Sequence, residues 1–273
     1  MARPIGIAPL THLELSPPAM VDNAAQAGFD FVGLRLIAAT AQEPQLGSQE
    51  LGEGKPLVRE IAKRLAATGL RVADIEIFRL KPETRVADYE AVLAAGARLG
   101  ARHALAAPQD GNLLRLAETL NALCELAARY GLVVDLEPTP WYEVNTLRAC
   151  AGVIALTGRD DIGLVVDPIH FDRVGETPES IRALPASMFR YAQLCDAPVE
   201  RPTDLPTLLH QARAERLMPG DGGLDLAGIF GALPCGVPLA IEIPMNSLAG
   251  SVPADERVRR MIAKTRTLLY GIN

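Results

Sequence analysis

Four oxygen-bearing side chains, Glu137, Asp167, Gln193 and Glu242, each stand near the carboxyl end of a short, strongly apolar run. The runs read LVVDLEP, IGLVVDP, FRYAQLCDAP and PLAIEIP. A single Glu at such a place is more often a helix cap or a surface charge than a ligand. Four of them are harder to dismiss, because carboxylates are almost never left buried unless paired or bound to metal. Three carboxylates and one amide make an all-oxygen set. That chemistry suits one divalent cation such as Mg²⁺ or Mn²⁺ better than zinc, which prefers nitrogen and sulfur, although zinc also fits. The four positions are 30, 26 and 49 residues apart, so only folding can bring them together.

Further groups could act on a substrate held by such an ion. In Asp167-Pro-Ile-His170 an imidazole follows the carboxylate by three residues, where the strand becomes a loop. With an unperturbed pKa near neutrality it could serve as a general acid or base, or simply pack on the loop. Arg216, in the glycine-dense stretch RLMPGDGGLD, offers a planar fork for a carboxylate or a sugar oxygen. Glu76 is expected on the wall of the site and Asp74, two residues earlier, in a structural role. Asp135 shares a strand face with Glu137 but lies one layer deeper, where an ion pair is expected. Arg35 and Arg79 could bind an anion, with salt bridges as the default. His12 and His103 could face the site; His210 is expected to be exposed. Asp196 is expected to cap a turn or orient a ligand.

The elements that must position these groups alternate from end to end. Strands are expected at 4–10, 31–37, 71–80, 103–108, 132–138, 162–168, 189–198 and 238–244. Helices are expected at 16–29, 56–69, 84–100, 112–131, 144–158, 179–187 and 256–271. Two long connections, 41–54 and 199–226, follow the second and seventh strands, with a helix start at Asp225. Alternating βα units imply a parallel sheet, and eight strands imply closure into a single (β/α)₈ TIM barrel over residues 1–273. Strand ends of such a barrel converge on one face, and long loops there are usually functional.

Composition narrows the classes. With 49% hydrophobic and 22% charged residues, the 273-residue chain can bury a large core. A net charge of −6 disfavours nucleic acid, which needs a basic footprint. The four cysteines show no close pairing, as expected for reduced thiols in the cytoplasm. No signal peptide or membrane-spanning stretch is apparent. No GxxxxGK[ST], GxGxxG after a strand, or GxSxG is present.

These residues resemble the sugar-phosphate isomerase/epimerase superfamily, the xylose-isomerase-like TIM barrels. The resemblance rests on Glu137 in LEP, Asp167-x-x-His170, QLCD from Gln193, R-x-x-P-G-x-G at 216–222 and Glu242 in IEIP, and with the strand order it covers nearly the whole chain. It implies that Glu137, Asp167, Gln193 and Glu242 hold one divalent metal. It also implies a small sugar or hydroxy-keto acid substrate, proton abstraction next to a carbonyl through a metal-stabilised enolate, and Glu137, Glu242 and His170 as the proton-handling residues. A homodimer is the assembly expected.

One departure matters. Many relatives carry histidine where this chain has Gln193, and glutamine followed by L-x-D-A-P looks more like the 3-dehydroshikimate dehydratase branch. A metal-dependent isomerase or epimerase is therefore the first expectation, and a lyase of that dehydratase type the alternative. A barrel that has lost activity and serves as a binding module would show decay of the ligand set, yet all four positions still offer oxygens.

Overall fold

The structure, a computed structural model, describes residues 3–38 and 46–272. Eight parallel strands form one sheet: β1 (Ile5–Ile7), β2 (Phe31–Arg35), β3 (Arg71–Leu80), β4 (His103–Pro108), β5 (Val133–Leu136), β6 (Gly163–Leu164), β7 (Ala192–Leu194) and β8 (Leu239–Ile241). Hydrogen-bonded neighbours follow the order β6-β5-β4-β3-β2-β1-β8-β7. The remaining edges meet where the Gln193 backbone amide donates to the Val166 carbonyl at 2.9 Å, closing the sheet into a (β/α)₈ TIM barrel.

Most strand positions are apolar on both faces because helices cover the outside and the inward side chains fill the interior. β1, β7 and β8 are buried at every position. The helix Leu113–Arg129 shows how the outer ring is made. Asn112 caps its first turn by accepting from the Arg115 amide at 3.0 Å. Leu116, Leu120, Leu123 and Leu126 then recur at helical spacing and are buried against the sheet. Each such leucine contributes about 1.5–3 kcal/mol by leaving water. Among the described residues no helix is long and apolar enough to cross a membrane.

β3 and β4 have the bounds expected from sequence, whereas β6 is only two residues long. It stops early because Asp167 acts as a helix cap: its side chain accepts from the Ile169 amide at 3.0 Å, and Pro168 opens the helix Pro168–Arg173. His170 therefore lies on a helix and not on a loop. The connection after β7 also holds a helix, Leu205–Arg213, capped by Asp204 with Pro206 in its first turn. Of the long connection after β2, residues 39–45 lie outside the described residues, and Ser48–Leu51 is helical. The helix expected to start at Asp225 does so, with Asp225 accepting from the Gly228 amide at 2.8 Å.

Candidate active site

Because all strands run the same way, their carboxyl ends open on one face, around a cavity of about 480 Å³. Glu76 from β3, Glu137 from the end of β5, Glu242 from the end of β8, His170 and Arg216 all line it. Asp167 and Gln193 are buried but are not among its lining residues. The backbone fixes these positions. Glu137 donates its amide to Ala106 O at 2.9 Å and Glu242 donates to Leu194 O at 3.0 Å, so each sits one residue beyond its strand.

Arg216 is the pivot of the charge arrangement. Its guanidinium is 1% exposed, donating from one nitrogen to Asp167 Oδ2 at 2.7 Å and lying 3.0 Å from Glu242 Oε2 with the other. Its Nε donates to Ala212 O at 2.7 Å. The fork is thus filled by the protein's own acids. Burial raises the Asp167 pKa, but Arg216, His170 and the Ile169 amide outweigh it, and the carboxyl is held below the usual range. Burial pushes Glu242 up to about 8 despite Arg216, because Glu76 and Asp167 add like charge. Glu137 is raised by burial, then by Glu242 and Asp167. Burial takes His170 down to about 4, against the pull of Asp167, whose Oδ2 lies 3.7 Å from its Nε2.

Part of the expected donor set, joined by His170, comes close enough to share a cation. Glu137, Asp167 and His170 each offer a ligand atom, and these atoms lie within 4.8 Å of one another. Glu137 Oε1 and Gln193 Oε1 are buried oxygens without a hydrogen-bond partner. Glu242 instead turns one oxygen to Arg216. Glu76 pairs with Arg35 at 3.0 Å and keeps Oε2 without a partner.

A family model for the xylose isomerase-like TIM barrel matches residues 21–267. The chain belongs to that family. A 3-dehydroshikimate dehydratase from Pseudomonas aeruginosa is 32% identical over 127 residues, 46% of this chain and 19% of that protein. An inosose isomerase from Bacillus velezensis is 26% identical over 161 residues, 54% of each chain. The chain thus spans about a fifth of the first relative's length and about half of the second's. Among solved structures, the IOLI protein with a bound zinc atom superposes with a TM-score of 0.79 at 18% identity, covering 99% of both chains.

In this xylose isomerase-like barrel Arg35 and Arg79 also line the mouth, Arg79 donating to Ala38 O at 2.9 Å, whereas the other sequence candidates are not among its lining residues. His103 is the first residue of β4, so it stands at the opposite end, where its Nδ1 is 2.7 Å from Asp135 Oδ2. Asp135 also pairs with Arg190 at 2.9 Å, the deep ion pair expected for it. Asp74 is buried below Glu76, and Tyr191 Oη donates to it at 3.5 Å. His12 is fully buried against Asn23, whose amide nitrogen lies 3.2 Å from its Nδ1. His210 is exposed on the helix Leu205–Arg213. Asp196 accepts from the amides of Ala197, Gly220, Gly222 and Leu224, and so holds the glycine-dense loop.

Sequence reasoning missed Trp141, Tyr142, Lys81 and Arg213, all of which line the cavity. Trp141 had a signal: it follows the strand-end Glu137 by four residues, inside a loop on the active face. Arg213 had none, since the helix that carries it went unread.

Proposed function

We propose that this barrel is a divalent-metal-dependent isomerase or epimerase that removes a proton next to the carbonyl of a small sugar or hydroxy-keto acid. The observation that supports this reading best is the buried, unpartnered Oε1 of Glu137, a residue clustered with Asp167 and His170, with a second unpartnered oxygen on Gln193. Glu137, Asp167, Gln193 and Glu242 would hold the ion, magnesium or manganese suiting their oxygens and zinc being the alternative. The ion would supply Lewis-acid polarisation of the substrate carbonyl.

The chain's own residues do the rest. Glu137 and Glu242 end strands three places apart around the barrel, so they meet a ligand from different sides and can hold or return its proton. His170 keeps Nδ1 without a partner while packing edge-on against Trp141 at 5.1 Å, which fixes the imidazole plane. Arg216 keeps Asp167 charged and holds Glu242 in place. Burial around these groups excludes water from the exchanging proton.

A second reading, a lyase of the 3-dehydroshikimate dehydratase type, is favoured by Gln193 and by the 32% identity to the Pseudomonas aeruginosa enzyme. The experiment incubates manganese-loaded protein with ketoses and with 3-dehydroshikimate in deuterium oxide. Deuterium uptake without loss of water supports isomerisation; ultraviolet absorbance of an aromatic product supports the lyase. Glu137→Gln and Glu242→Gln should each abolish uptake, and unaltered turnover in both would overturn the assignment.

A further inference from the structure

The cations around the cavity are unequal in their commitments. Arg216 is taken up by Asp167 and Glu242, Arg35 by Glu76, Arg79 donates to Ala38 O at 2.9 Å, and Lys81 lies 3.9 Å from Glu83. Arg213 differs: among the described residues it has no carboxylate partner, yet it is not loose. Its guanidinium carbon lies 4.6 Å from the centre of the Trp141 ring, and Trp141 in turn meets His170 edge-on. Arginine, tryptophan and histidine form one chain of contacts at the mouth, and all three line the cavity.

Stacking on an indole face holds the guanidinium plane while leaving its edge N–H groups available. A fork fixed in this way loses little freedom on binding and matches the two coplanar oxygens of a carboxylate. The same short segment places both arginines. Arg213 ends the helix Leu205–Arg213 at the rim, and Arg216 reaches the floor while its Nε donates back to Ala212 O. The floor acids and the rim cation therefore keep a set relation to each other. A ligand whose reacting carbon sits by Glu137 and His170 would carry its charged end towards Arg213.

Resting on the function proposed above, we propose that Arg213, held over the Trp141 ring, is the specificity-determining residue that binds a substrate carboxylate, so that this barrel acts on an acid and not on a neutral sugar. Trp141 is the chain's single tryptophan, so its fluorescence reports on this stack. The test titrates EDTA-treated protein with shikimate and with shikimate methyl ester, in wild type, Arg213→Gln and Arg213→Lys. Removing the cation matters, because an ion beside Glu137 could itself attract a carboxylate.

Wild type should bind the acid about tenfold or more tighter than the ester, the ratio expected for a charge-assisted hydrogen-bonded pair. In Arg213→Gln that ratio should fall to about one with ester affinity retained, and Arg213→Lys should lie between. A role in merely propping Trp141 would weaken acid and ester alike. The proposal is overturned if wild type does not prefer the acid, if no fluorescence change occurs at concentrations on the order of 10 mM, or if the preference survives in Arg213→Gln. Tighter, Arg213-dependent binding of a sugar phosphate would overturn the carboxylate assignment. Failure of deuterium exchange would sink the catalytic reading while leaving this binding result standing.

Discussion

Arg216 carries two buried acids on one guanidinium, and breaking such a group leaves charges without compensation. Removing one partner of a buried ion pair costs about 3–5 kcal/mol, far more than the pair contributes over an apolar substitute. Arg216→Met should therefore lower unfolding free energy by about 3 kcal/mol or more in urea with EDTA present; a loss under about 1 kcal/mol would show that the acids are solvated after all. His12 supplies a second prediction, this one in pH. Burial, then Arg257, takes its pKa from 6.5 down to about 3. The folded protein therefore keeps the ring neutral while the unfolded chain binds a proton below pH 6.5. The folded-state pKa being depressed, the stability it represents is present above pH 6.5 and is lost as pH falls towards 3. At pH 5 the loss is about 2 kcal/mol relative to pH 7, at about 1.4 kcal/mol per pH unit. His12→Leu should flatten that part of the stability profile. An unchanged acid slope in the variant would assign the acid sensitivity to other groups.

The loop at 217–224 shows how one element depends on a side chain outside it. Asp196 gathers four backbone amides, and Gly222 fits because a Cβ there would lie 2.3 Å from both the Ala197 carbonyl oxygen and Asp196 Oδ1. Gly220 meets the second demand with a φ of 84°, which few side chains tolerate. Gly222→Ala should cost about 1–3 kcal/mol by overpacking and, by moving the chain that follows Arg216, should reduce turnover. Full activity at normal stability would mean the loop and the site are not linked. This part is half legible: the proline and glycines announce a turn, and Asp196 is a carboxylate expected to cap a turn or orient a ligand. The strands are easier still: the runs 71–80 and 103–108 read directly, with the bounds the structure gives them. What stayed hidden was short-range helix formation. Asp167 reads as a ligand at a strand end, while its second role, capping Pro168–Arg173, needs the Ile169 amide in view. Asp204-Leu-Pro-Thr is a cap followed by a first-turn proline, but 199–226 reads as loop because its flanks are rich in proline and glycine. Arg213, and with it the rim of the site, disappeared into that reading.

At the scale of the molecule, the barrel has one weak side. Seven strand pairs share ladders, two of them with register shifts, while β6 and β7 are joined by the Gln193 backbone amide to Val166 carbonyl bond at 2.9 Å, and β6 is two residues long. Residues of the candidate metal set straddle this seam: Asp167 follows β6, Gln193 lies on β7 and Glu242 follows β8. Arg216 already reaches across, joining Asp167 to Glu242. A cation held by the same oxygens would brace the seam from the mouth side. Binding to the native state alone at a hundred times its Kd stabilises by about 2.7 kcal/mol, which for a chain of this size raises Tm by roughly 5–10 °C. EDTA-treated protein should thus melt lower than protein given manganese, and hydrogen exchange should slow chiefly at 163–167 and 192–194. Ions without affinity for the site, such as potassium, should do neither. A metal-dependent rise in Tm with protection spread evenly over all eight strands would place the ion elsewhere, and the seam would then rest on Arg216 alone.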